Sequence, residues 1–132
     1  MPTRFKKLLL PIVLLFWTHP ALAQLEQSNW DGTWTVEGTL FTIRVSVDNG
    51  IMEVEQVESL GFEWSSTDGV VNGNVVEVAV EYAGVTGIIQ AELIDPNTAI
   101  AFAKTCLPDF MVVCVLARDR QAVFRKAVPT AP

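Results

Sequence analysis

A handful of side chains in this sequence have the types and spacing to do chemistry. Glu53, Glu55, Glu58 and Glu63 crowd one stretch, and paired carboxylates are the usual means of general acid–base catalysis. Arg118, Arg120, Arg125 and Lys126 form a basic group that is suited to holding an anion. Asp48-Asn49-Gly50 offers the oxygen ligands that calcium takes. Cys106 and Cys114 are the chain's two cysteines. Each group also has a plainer reading. The glutamates read as a solvated acidic face, and the basic residues as balance on an acidic surface. Asp48-Asn49-Gly50 lacks the remaining ligands of a calcium loop and reads as a tight hairpin turn, so no metal site is expected. The cysteines lack both C-x-x-C spacing and a thiolate-stabilising neighbour, which argues against a redox pair and for a structural disulfide.

The first residues narrow the chemistry further. Arg4, Lys6 and Lys7 precede the apolar run Leu8–Trp17, and Ala21-Leu22-Ala23 has the small-x-small pattern of a cleavage site. These are the parts of a secretory signal peptide, predicted over 1–23. The run is about half the ~20 residues a spanning helix needs and contains Pro11, so a membrane-spanning anchor is not expected. No cysteine follows the cleavage site to carry a lipid. Cleavage would remove His19, the only histidine, leaving a mature domain more acidic than the chain's net −6. Without histidine there is no Ser-His-Asp or Cys-His arrangement and no ordinary zinc site. Neither a Gly-rich nucleotide motif nor a P-loop is present. The acidity argues against nucleic-acid partners. The expectation is a periplasmic or secreted protein that is not an enzyme and needs no cofactor.

The elements that must position these residues read as strands. Phe41, Ile43, Val45 and Val47 alternate with Thr42, Arg44 and Ser46, the period of a strand with one buried face. Ile51–Glu58 continues the pattern with a slip near Glu55-Gln56, where a bulge is expected. Val76, Val78, Val80 and Tyr82 alternate with Glu77 and Glu81. Gly61–Ser66, Val85–Leu93, Ala99–Thr105, Phe110–Ala117 and Gln121–Lys126 complete the series, with Phe62 and Trp64 on one face. Turn signals separate them, and a hairpin near Phe110 would bring Cys106 opposite Cys114. About eight or nine short strands at this spacing predict an all-β fold, a small antiparallel up-and-down β-barrel over 24–126. The Pro-rich 127–132 is predicted as a disordered tail. Outward Arg44, Glu77 and Glu81 argue against a membrane barrel, which would need an outward apolar band.

Gly32-Thr33-Trp34, opening the first strand after Trp30-Asp31, resembles the Gly-x-Trp start of the calycin barrels: lipocalins, avidins and fatty-acid-binding proteins. The resemblance implies that Trp34 packs at the closed end of the barrel beneath a basic side chain from the last strand. Arg125 is the candidate, so Gly32, Trp34 and Arg125 would close the barrel. The chain is also similar to the periplasmic metalloprotease inhibitors of Gram-negative bacteria in its signal peptide, single disulfide and early Gly-x-Trp. It departs from them in that their cysteines lie before mid-chain.

Trp34, Phe41, Phe62, Trp64 and Tyr82, with Phe102, are the candidate ligand-binding residues. In a chain this small their commoner use is a filled core. Phe110–Ala117 is apolar on both faces, which points to an association surface for a second copy or an envelope protein. The leading expectation is an exported, non-catalytic binding protein for a small apolar ligand or a protein partner. Alternatives are an envelope protease inhibitor and a structural or assembly accessory of the cell envelope.

Overall fold

The computed structural model describes residues 28–128. The expected signal peptide, 1–23, and the last four residues of the expected tail lie outside them. Nine strands form in the order β1 (Gly32–Val36), β2 (Thr42–Asp48), β3 (Ile51–Glu58), β4 (Trp64–Ser66), β5 (Gly69–Asn72), β6 (Val75–Tyr82), β7 (Val85–Asp95), β8 (Thr98–Leu107) and β9 (Ala122–Lys126). A short helix, α1 (Val112–Ala117), precedes β9.

The sheet closes on itself. β9 pairs with β1 while β6 pairs with β7, all antiparallel. β4 and β5 share one strand position, both pairing with the same edge of β6: β5 along Val75–Glu77 and β4 along Val80–Tyr82. The result is a closed eight-stranded antiparallel barrel, the architecture that the period-two pattern predicts. Closure leaves few edges to cap.

The hairpin chemistry is local. Asn49 and Gly50 both take positive φ, 52° and 76°, between the paired residues Asp48 and Ile51. This is the two-residue turn whose twist matches the strands it joins. Ala83-Gly84 does the same between Tyr82 and Val85. In β3 the expected bulge is present at Val57: Thr42 pairs with Glu58 and Ile43 with Gln56, leaving Val57 as the extra residue.

One end of the barrel is plugged. Trp30 and Trp34 pack 6.2 Å apart, centroid to centroid. The Trp34 indole N–H donates to the Trp30 carbonyl at 2.8 Å, and that of Trp30 to the Gly73 carbonyl at 3.3 Å. Asp31 accepts from the Val47 amide at 2.7 Å. Burying these large rings with their N–H groups paired gives the apolar gain without the cost of a stranded donor. The turns Asp48–Ile51, Asn72–Val75 and Asp95–Thr98 lie at this end. Antiparallel alternation then sends residues 37–41, 59–63, 83–84 and 108–121 to the other.

The apolar run Phe110–Ala117 is not a strand. It forms α1, with Cys114 buried and Val112, Val115 and Leu116 exposed. A short run that is apolar on both faces does not distinguish strand from helix by period, and here β8 has already ended at Leu107. The disulfide does form between Cys106 and Cys114, with Cα atoms 5.5 Å apart. It ties a helix to β8 rather than joining two strands of a hairpin.

Candidate functional site

The side chains that alternate inward decide what the barrel holds. Ile43 and Val45 on β2, Met52 and Val54 on β3, and Val76, Val78 and Val80 on β6 form one wall. The opposite wall carries a row of small residues beside Ile89, Phe102 and Phe124. Ala91 on β7 pairs with Ala101 on β8, which pairs with Ala122 on β9, while Ala99 and Ala103 flank Ala101 on its face. A cavity of about 470 Å³ remains, within the range of small-molecule sites. The interior is therefore not the filled core that is commoner for a chain of this size.

Trp30 and Trp34 form the floor, and Phe41, Trp64 and Tyr82 stand towards the mouth. Phe41 and Trp64 stack 5.9 Å apart. Of the five aromatics singled out from the sequence, Trp34, Phe41, Trp64 and Tyr82 line the cavity, as does Phe102. Phe62 does not. It is half exposed and meets Tyr82 edge-on at 5.6 Å, centroid to centroid. Leu60 and Gly61 take positive φ, 55° and 81°, so Phe62 sits on a turn where strand alternation does not apply.

The segment between β8 and β9 covers part of the mouth. Leu116, Ala117, Arg120 and Gln121 border the cavity, and the disulfide anchors this segment to β8. The wall opens at a second place. β3 pairs with β5 only at Ile51 and Met52, and the gap between upper β3 and β4 is spanned by the Gln56 amide, which donates to the Trp64 carbonyl at 2.6 Å. The Trp64 indole N–H nearby is buried without a partner, a state that ordinarily costs about 1–3 kcal/mol.

Exposed apolar side chains gather around this end: Leu40, Leu60 and Phe62 on two loops, and Leu107, Phe110, Val112, Val115 and Leu116 around α1. The apolar surface expected of Phe110–Ala117 thus belongs to a rim at the mouth.

The basic residues do not cluster as one group. Arg120 borders the mouth, whereas Arg125 and Lys126 lie on β9. Lys126, rather than Arg125, covers the barrel floor: its ammonium sits 5.1 Å from the Trp34 ring centroid and donates to the Asn29 carbonyl. Burial pushes the Lys126 ammonium below its ordinary pKa, with Asp31 pulling it partly back. Arg125 points to the outside, pairing with Glu37 at 3.3 Å and donating to Thr98 at 3.1 Å. Successive residues on a strand face opposite sides, and Lys126 is the one paired with Trp34. Gly32 leaves room for it, since a Cβ there would lie 3.2 Å from the Lys126 side chain.

Glu53 and Glu55 share the outer face of β3. Glu55 pairs with Arg44 on the outer face at 3.3 Å, and Glu58 accepts from the Leu60 amide at 3.0 Å. Among the described residues, no three Asp, Glu, His or Cys side chains are placed to share a metal ion, and no helix is long and apolar enough to cross a membrane. Comparison of the chain with protein-family models, with curated proteins and with solved structures finds no match.

Proposed function

We propose that this protein is an exported, non-catalytic binding protein that carries one small apolar ligand inside its barrel. The observation that carries the reading is the cavity of about 470 Å³, walled almost wholly by apolar side chains with a row of alanines on β7, β8 and β9. At the ~30 Å³ that one water occupies in the liquid, it has room for a ligand on the order of 15 non-hydrogen atoms. A dry apolar void is costly to keep empty, and a ligand that fills it recovers the lost contacts. The Trp34 floor capped by a basic side chain of the last strand supports a calycin-like reading, with Lys126 in the part expected of Arg125. The disulfide supports an oxidising, exported location, and the ion pairs Arg44–Glu55 and Glu77–Lys104 on the outer wall support a soluble barrel.

Titration of the delipidated protein with N-phenyl-1-naphthylamine, a neutral apolar fluorophore, tests the reading. Saturable binding with one site per chain is expected. Ala101→Leu, which fills the alanine wall, should weaken that binding at least tenfold while leaving the fold equally or more stable. No saturable binding by the wild type, or undiminished binding by a folded Ala101→Leu, would overturn it.

A further inference from the structure

We infer that the ligand is a single-chain amphiphile with an anionic head, and that Arg120 binds that head at the mouth of the barrel. The inference rests on the proposed apolar-ligand function and names its ligand class.

Two observations carry it. Among the described residues, Arg120 is the one charged residue lining the cavity, at the end opposite the Trp30–Trp34 floor. It is also unengaged. Arg44, Lys104 and Arg125 each have a carboxylate partner, and Lys126 lies over Trp34; among the described residues, no carboxylate pairs with Arg118 or Arg120. What sets Arg120 apart from Arg118 is its place at the apolar cavity. Gln121, next in sequence and also at the lining, adds neutral hydrogen-bonding capacity, and both residues are exposed to water. A guanidinium presents a planar fork of donors that matches a carboxylate or a phosphate oxygen pair. The depth of the site sets the rest of the ligand: an apolar tail running down to the tryptophans, with its head left where water and Arg120 meet it.

The size of the cavity suggests twelve-carbon probes. Dodecanoate, dodecyl phosphate and dodecan-1-ol are to be compared in displacing N-phenyl-1-naphthylamine from the delipidated, disulfide-intact protein at low salt. At least one anion should bind roughly tenfold or more tightly than the alcohol, and the tighter of the two identifies the head group. Arg120→Gln should abolish that preference by weakening the anions towards the alcohol, Arg120→Lys should restore part of it, and Arg118→Gln, altering an exposed neighbour outside the lining, should keep it. Added salt should weaken anion binding selectively. Equal affinity for anions and alcohol, or a preference that survives Arg120→Gln, would overturn the inference while leaving the apolar-ligand function standing. Failure of the neutral fluorophore to bind at all would overturn both.

Discussion

The two ends of this barrel are built on opposite principles. At the closed end, Trp30 and Trp34 are almost wholly buried, each indole N–H has a carbonyl partner, and Asp31 and Lys126 tie the incoming chain to β2 and β9. At the open end, Trp64 keeps an unpartnered indole N–H, β3 and β4 are joined through one glutamine side chain, and Phe62, Phe110 and Val112 lie in the open. Both ends expose apolar side chains, Ile51, Val70 and Ile94 at the closed one. Among the described residues only the open end also strands a buried indole donor, beside a cavity, and sites of binding are where such departures concentrate. On the proposed function, the contrast assigns stability to the floor and recognition to the mouth.

The largest effect should come from the floor. Trp34→Ala removes a side chain only 2 % exposed and should cost about 3–5 kcal/mol in urea unfolding. Phe62→Ala at the mouth should cost less than about 1 kcal/mol. Similar losses for the two would erase the distinction between the ends.

The next effect concerns the tether. Replacing Cys106 and Cys114 together by serine should lower stability by about 2.5 kcal/mol, the loop-closure value for so short a ring. Because the tethered segment carries Leu116, Arg120 and Gln121 to the cavity, the same variant should release bound fluorophore faster in stopped-flow displacement. An unchanged dissociation rate would show that the 108–121 segment does not retain ligand.

Most of the frame was legible in the sequence because it rests on local rules. Alternation along Val75–Tyr82 placed its inward face, and Asn49-Gly50 specified its turn; that Trp34 packs at the floor was implied only by the resemblance of Gly32-x-Trp34 to other barrels. What escaped was set by relations between distant residues. The cavity exists because Ala91, Ala101 and Ala122 meet side by side on three strands, and no window of sequence shows that row. Phe110–Ala117 is too uniformly apolar for period to distinguish helix from strand. Lys126 displaced Arg125 over Trp34 through a register difference of one residue, which reverses the face of every side chain on a strand. Arg120 carried a signal only as a member of a basic group, and its place at the mouth follows from how α1 turns the chain into β9.

The smallest effect returns to the floor. Burial lowers the folded pKa of Lys126 below its ordinary 10.5, so between those values the unfolded chain binds more protons and stability rises with pH. Measured by urea unfolding, the stability of wild type relative to Lys126→Met should therefore increase as pH climbs from neutral towards 10.5. A decrease would mean that the contacts with Trp34 and Asn29 outweigh the burial of the charge.

The most direct test of the central claim is native mass spectrometry of the protein recovered gently from its own host, alongside Ala101→Leu prepared identically. A cavity that carries a ligand predicts a small additional mass on the wild type, one per chain, removed by organic extraction and reduced or lost in Ala101→Leu. A bare wild-type chain that also takes up no apolar probe after extraction would contradict the account.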